Sequence, residues 1–519
     1  MNPPAYALRL SPAGISLHIP AGTRLQDVLF AQGVEFPCGG RGRCKGCRVR
    51  VLRGELAITP EEQNLLSPDE RRAGWRLACR HTMQGELELE LAQWEMSVLA
   101  DESRFAFVPQ EGLGVAIDLG TTTIAAQLLD LTTGHVLAVR TALNAQARHG
   151  ADIMSRLEFA LHGGQAELQR LVREQLGQIV RDLLAARAPA RCGSGRAGAT
   201  QSAPAPEAAP LKRIVLVGNT VMHHLFCGIP VAPLCAYPFE SPELGRQRLS
   251  ARALGWELPE ETVIEFLPCL GGFVGSDILA GIVATGLHES SELSALMDLG
   301  TNGEVVVGHR ERILCCSTAA GPAFEGARIS MGMRAATGAI SAVQVEDNYL
   351  RCHVIGGGEP RGICGSGLVD AVAAGLELEW IHPSGRLANR SELPLAGSVV
   401  LRAADVRELQ LAKGAIAAGL RILAQRLGAT LEDIRVLHLA GAFGNYINRA
   451  SARRIGLLRL PLERIRPAGN TALLGAKRAL FEDAAAWDAL ARRVEHVSLN
   501  EDPNFEEIFA AEMRFPSVG

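Results

Sequence analysis

The chain carries the same short device twice. VAIDLGTTTIAA runs from Val115 to Ala126, and 180 positions later ALMDLGTNGEVVV sets Asp298, Gly300 and Thr301 where the first copy has Asp118, Gly120 and Thr121. In each copy a short apolar strand delivers an aspartate to a fixed point. The glycine lets the backbone turn tightly, and the amides and hydroxyls that follow can face phosphate oxygens. Asp118 is then placed to hold Mg²⁺, directly or through water. One Asp-Leu-Gly-Thr turn fits any β-hairpin. Two copies point to two similar halves, and this repeat outweighs any single motif. The residues expected to do the chemistry are Asp118 and Asp298. Those expected to contact the phosphate-bearing ligand are Gly120, Thr121, Thr122, Gly300, Thr301 and Asn302.

The front of the chain holds a second kind of chemistry. FPCGGRGRCKGC carries Cys38, Cys44 and Cys47, and WRLAC adds Cys79, a C-x5-C-x2-C run with a distant fourth cysteine. A [2Fe–2S] cluster needs four thiolates, and a glycine-rich loop lets three of them wrap it while its amides bond the sulfides. A structural zinc site also uses four cysteines, but usually as two short-spaced couples. Around the cysteines, YALRL, ISLHI, CRVRVLRG and GELELEL alternate like strands, and TRLQDVLFAQG has helical spacing. Arg41, Arg43, Lys45, Arg48, Arg76 and Arg80 surround the ligands. They are either a docking face for an acidic electron partner or a solvated surface.

At 519 residues the chain exceeds one ordinary core, so two or three domains are expected. A net charge of −4 offers no basic excess for nucleic acid. No apolar run is long enough to cross a bilayer, and MNPPAYALRLS lacks the features of a signal peptide, so a cytoplasmic protein without a membrane partner is expected. In that compartment the twelve cysteines are expected as metal ligands or buried apolar residues, not disulfides.

Between these features lie quieter stretches. Periodicity fades over 93–112, which reads as a linker. About 186–210, rich in Ala, Pro, Gly and Ser, reads as a disordered insertion. Asn144, Gln146, Asp152 and Arg156 follow the first hairpin closely, with helix capping as good a role for Asp152 as catalysis. His223 and His224 read as ordinary helix residues, and Asp405 to Leu427 as a long helix with an apolar stripe. Glu325 either orients water or pairs with Arg328. Cys364, at a glycine-rich helix start, reads as a buried inert thiol, with a second cluster bridging a dimer as the alternative. No further aspartate stands out as a cleft residue.

The paired hairpins resemble the phosphate elements of the actin, sugar kinase and heat-shock-70 ATPases. HLAGAFGNY, from His438 to Tyr446, resembles their adenosine element, which implies Gly441 and Gly444 against the adenine. GNTALLGAKRAL and SDILAGIVATGL resemble the pair of connecting helices at the hinge. With the amino-terminal cysteine loop, which resembles a β-grasp ferredoxin, and with NAQARHGADIMSRL, AAGPAFEGARISMG, GICGSGLVDA and LAGAFGNYIN, nearly the whole chain resembles the reductive activators of corrinoid proteins. That resemblance implies an α/β fold, an actin-like ATPase of two RNase H-like halves (113–290 and 291–519) after a small α+β ferredoxin domain (1–92). It implies a [2Fe–2S] cluster on Cys38, Cys44, Cys47 and Cys79, with ATP and Mg²⁺ in the cleft. Its implied partners are a corrinoid protein and a low-potential electron donor, and it leaves a homodimer open. The activity it implies is ATP-dependent reduction of Co(II) to Co(I). One departure is expected: larger members carry a middle domain between ferredoxin and ATPase, and only about twenty residues separate them here. The alternatives are a metabolite kinase of the sugar or acetate kinase type with a regulatory ferredoxin domain, and a redox-sensing module without turnover.

Overall fold

The computed structural model describes residues 4–11, 15–32, 34, 42, 47–91, 105–150, 152–186, 209–300, 302–326 and 328–517. The expected insertion, most of the expected linker, and Cys38, Cys44 and Thr301 lie outside the described residues.

The alternating segments at the front form β1 (Ala5–Ser11), β2 (Ile15–Pro20), β3 (Arg48–Arg53), β4 (Trp75–Leu77) and β5 (Leu87–Leu91). They pair in the order β2-β1-β5-β3-β4, with β1 and β5 parallel and the other pairs antiparallel. Leu25 and Leu29 on the helix Leu25–Ala31 are fully buried with Leu8, Val49 and Leu89, so the helix covers one face of the sheet. This is the β-grasp arrangement that the ferredoxin resemblance implied.

The first hairpin lies in a six-stranded sheet made of β6 (Leu113–Leu119), β7 (Thr123–Asp130), β8 (Val136–Leu143), β9 (Leu211–Val217), β10 (Gln247–Leu249) and β11 (Val263–Phe266). The second lies in β12 (Ser294–Leu299), β13 (Gly303–His309) and β14 (Arg312–Thr318). Small sheets follow: β15 (Ala339–Glu346), β16 (Tyr349–Val354) and β17 (Gly362–Ile363), then β18 (Glu392–Ala396) and β19 (Val399–Arg402). The second large sheet is completed by β20 (Val436–Ala440), β21 (Ile465–Gly469) and β22 (Val494–His496). Its order, β21-β20-β12-β13-β14-β22, matches the first lobe's β11-β9-β6-β7-β8 strand for strand through five positions. In both, the first three strands are antiparallel and the next two parallel, which is the RNase H-like topology the resemblance implied.

Strand β6 is buried along almost its whole length because helices cover both faces. On one face lie the helices Gln165–Ala186 and Thr220–Cys227. On the other lie two helices from opposite halves, Ser276–Thr285 and Thr471–Ala479, whose Ile278, Ile282, Leu473 and Ala476 share one core with Ala116, Val215, Leu296 and Val306. Small residues permit this approach: a Cβ on Gly475 would stand 2.4 Å from the Ala280 carbonyl oxygen. The two lobes therefore meet on a tight helix pair, with the cleft above it.

Candidate functional site

The strand ends converge on a cavity of about 360 Å³ between the lobes. Asp118, Gly120, Thr121 and Thr122 line it from one hairpin and Asp298, Gly300 and Asn302 from the other, so the two copies do face one cleft. Each turn closes on itself: Gly120 N donates to Thr123 O at 3.1 Å and Gly300 N to Asn302 O at 3.0 Å. The first turn demands glycine, since a Cβ at Gly120 would lie 2.5 Å from the Thr123 carbonyl oxygen. Gly441 also lines the cavity, in left-handed backbone (φ +81°), and a Cβ there would reach within 2.5 Å of the Asp298 carboxylate. Gly444 does not line it; it is buried against Leu439, so its smallness serves packing.

Two asparagines fix the first hairpin from elements far away in sequence. Asn219 caps the helix Thr220–Cys227, accepting from Met222 N at 3.0 Å, and donates its Nδ2 to Thr121 Oγ1 at 2.9 Å. Asn470 caps Thr471–Ala479 through Leu473 N at 2.8 Å and donates to Asp118 Oδ2 at 2.9 Å. From behind, Asn144 Nδ2 donates to Gly120 O at 2.9 Å, and the buried Arg156 donates to Thr121 O and Gly150 O. Asp152 caps the helix Ile153–Phe159 through Ser155, so its role is structural.

The cleft is acidic. Asp277, at the start of the helix Ser276–Thr285, and Glu304, across the strand pair from Asp298, join Asp118 and Asp298 in lining it. The sequence did not single out Asp277 as a cleft residue, and the structure places it in the cleft. Burial raises all four carboxyls: Asp118 to about 6, against an opposing hydrogen bond from Asn470, and Asp298 to about 7 with help from the charge of Asp118. Asp277 reaches about 8 through burial and then the charges of Asp298 and Asp118; Glu304 is pushed well up by burial and then by Asp277 and Asp298. Such mutual repulsion fits a site completed by a cation. Among the described residues no three such side chains converge closely enough to hold a bare ion.

The far end of the cavity is of another character. Phe324 and Phe443 stack with centroids 4.6 Å apart, and Glu325, Arg334, Tyr446 and the Cys364–Ser366 helix start complete the lining. Arg328, the partner expected for Glu325, is exposed in left-handed backbone. Cys364 is buried, its Sγ 3.3 Å from Ser366 Oγ.

In the amino-terminal sheet, pairing of Arg48 with Leu77 and the bond from Ala78 N to Cys47 O at 3.1 Å place Cys47 opposite Ala78, the chain neighbour of Cys79, and both cysteines are buried in one cluster. Two buried thiols, one just before β3 and one just after β4, fit half of a cluster's ligand set. Glu62, wholly buried, fixes the segment around Cys79 by accepting from Leu77 N at 2.6 Å and pairing with His81 Nε2 at 2.8 Å. Arg48, Arg76 and Arg80 are tied to Glu70, to backbone carbonyls and to Glu61, which gives them internal roles. His223 and His224 are buried in their helix, driven down to about 3 and about 4, chiefly by burial.

Family profiles match in three consecutive stretches. The 2Fe-2S iron-sulfur cluster binding domain covers 8–84, the RACo middle region 113–191 and 199–290, and the C-terminal domain of RACo, the ASKHA domain, 292–519. The corrinoid activation enzyme RamQ of Eubacterium limosum is 32% identical over 438 residues, covering 78% of this chain and 70% of that one. The chain belongs to the family of reductive corrinoid-protein activators. A [Co(II) methylated amine-specific corrinoid protein] reductase of Methanosarcina barkeri is 26% identical, covering 78% and 77%. A solved reductive activator for corrinoid, iron-sulfur protein superposes with a TM-score of 0.65 at 26% identity, over 99% of this chain and 98% of that one. The match also corrects one expectation. The family's middle region is present here, and it is the first RNase H-like lobe itself.

Proposed function

We propose that this protein is an ATP-hydrolysing reductive activase that returns the cobalt of a methyltransferase-associated corrinoid protein from Co(II) to Co(I). The carrying observation is that one chain joins a cleft lined by two facing hairpins with buried carboxylates to a β-grasp sheet that buries Cys47 and Cys79 in one cluster. When bound, a [2Fe–2S] cluster on Cys38, Cys44, Cys47 and Cys79 supplies one low-potential electron, received from a low-potential donor, and Mg²⁺-ATP supplies free energy.

The chain's own residues divide the remaining work. The amides and hydroxyls of Gly120–Thr122 and Gly300–Asn302 grip phosphate oxygens from two sides. Asp118, oriented by Asn470, and Asp298 would hold the cation. Asp277, on the first-lobe helix packed at the lobe junction, would ionise once the cation offsets the charges of Asp118 and Asp298, and is then placed to orient a water and accept its proton. Gly441 lets the adenosine end approach the backbone.

ATP is needed because the electron goes uphill. Plant-type clusters lie near roughly −400 mV, and a deficit of ~100 mV costs about 2.3 kcal/mol for one electron. Closure of the lobes provides that by binding the corrinoid protein more tightly in one nucleotide state, since only differential affinity moves an equilibrium.

Asp277 also favours a second reading, a metabolite kinase, because such an enzyme needs an aspartate aimed at a hydroxyl in the cleft. ATP turnover with and without Co(II) corrinoid protein separates them. The activase is stimulated by the partner and makes only ADP and phosphate; the kinase turns over without it and yields a phosphorylated metabolite.

A further inference from the structure

The segment from Leu143 to Ala147 serves two neighbours by turns. Leu143 and Ala147 are buried in the same apolar cluster as Leu8, Val49 and Leu77 of the amino-terminal sheet, and Ala145 packs against that cluster. The residues between them face the first phosphate hairpin. Asn144 N donates to Thr122 O at 2.8 Å, its Nδ2 donates to Gly120 O, and Gln146 Oε1 accepts from Arg156, which in turn donates to Thr121 O. The segment leaves the end of β8 at Leu143 and turns, capped by Asn144, into the short helix Ala145–Arg148, and that turn brings both sets to one short segment.

The same sheet also touches the other lobe. Glu90 on β5 forms an ion pair with Arg361, which is partly shielded and lies over Gly338, where a Cβ would stand 2.8 Å from the arginine Cδ. Arg361 leads through β17 directly into Cys364–Ser366, which line the cavity. Thus, among the described residues, the β-grasp sheet touches the first lobe at Leu143–Ala147 and the second at Arg361, and each contact reaches the cleft lining, the first through hydrogen bonds to the Gly120–Thr122 turn and the second along the chain to Cys364.

We propose that the seat of the β-grasp sheet is set by the nucleotide state of the cleft, with Leu143–Ala147 as a strut to the first lobe and Glu90–Arg361 as a latch to the second. This rests on the reading above only in requiring that the cleft take ATP. A rigid sheet fastened to two bodies cannot keep both fastenings when the angle between the bodies changes. The apolar strut is inside a core, while the latch is a partly exposed ion pair of modest strength, so the latch yields. Coupling of this kind is reciprocal: breaking the latch must alter nucleotide affinity.

The test uses the full-length protein loaded with its cluster, with visible absorption checking that each variant keeps it. Calorimetry measures binding of a slowly hydrolysed ATP analogue with Mg²⁺ to the wild type, to Arg361→Glu and to the charge-swapped Glu90→Arg/Arg361→Glu. Hydrogen exchange follows residues 143–147 with and without the analogue. Arg361→Glu is expected to shift the dissociation constant about five-fold or more, the swap to restore it, and the analogue to change exchange in the strut. Unchanged affinity in Arg361→Glu, a shift that the swap fails to reverse, or a strut whose exchange ignores the nucleotide overturns the coupling alone. A wild type that binds no nucleotide overturns the activase reading and the coupling with it.

Discussion

The side-chain amide of Asn470 donates to the Asp118 carboxylate at 2.9 Å although the two residues lie 352 positions apart, so the second lobe orients the carboxylate at the end of the first hairpin's strand. The same side chain caps the helix Thr471–Ala479. Asn470→Ala is expected to lose about 1 kcal/mol of stability from the cap and to weaken Mg²⁺-nucleotide binding. Asn470→Asp keeps the cap but sets a second carboxylate against Asp118, so its melting temperature should hold while nucleotide binding falls. Thermal denaturation with and without nucleotide checks both.

Asp277 bears on turnover more than on binding. Asp277→Asn is nearly isosteric and removes the carboxylate charge, and with it the ability to accept a proton. ATP hydrolysis should fall roughly 10²-fold or more, while nucleotide affinity stays within a few-fold of the wild type, read by steady-state kinetics and calorimetry.

The helix pair under the cleft tolerates no added bulk. A methyl group on Gly475 would meet the Ala280 carbonyl oxygen, which is backbone and cannot rotate away. Gly475→Ala is therefore expected to cost about 1–3 kcal/mol and to impair ATP hydrolysis by holding the lobes apart, whereas Gly286→Ala, where nothing lies within 4 Å, should affect stability only through its left-handed backbone.

Acid should unseat the ferredoxin-like sheet through Glu62. Burial raises its pKa, but bonds from His81, Thr59 N and Leu77 N outweigh that and leave it lowered overall. A carboxyl with a depressed folded-state pKa contributes stability that is present above its unfolded value and lost as pH falls through the folded one. The visible spectrum of the loaded protein should thus be stable at neutral pH and bleach on acidification below about pH 4.5. Glu62→Gln should be less stable at pH 7 and show a flatter acid limb.

What could be read from the sequence follows from what repeats. Asp118 and Asp298 were legible because the same strand and turn occur twice, and the matched sheet orders are the physical form of that repeat. Asp277 was not, because an aspartate in the first turn of a helix is indistinguishable in sequence from one that merely complements the helix dipole. Asn219 and Asn470 carried an unused signal: each sits in a Gly-Asn-Thr triplet at a strand-to-helix junction. Gly444 packs against Leu439, a contact the sequence does not reveal, because a glycine that admits a ligand and one that admits a leucine look alike there. The pairing of Glu90 with Arg361 joins surfaces that no local pattern connects.

The most direct test is to mix the cluster-loaded protein anaerobically with a Co(II) corrinoid protein and a low-potential reductant, and to follow the corrinoid's visible spectrum. Conversion to Co(I) only when ATP and Mg²⁺ are present, and its loss in Cys47→Ser, is the predicted result. Reduction at the same rate and to the same extent without nucleotide would contradict the account.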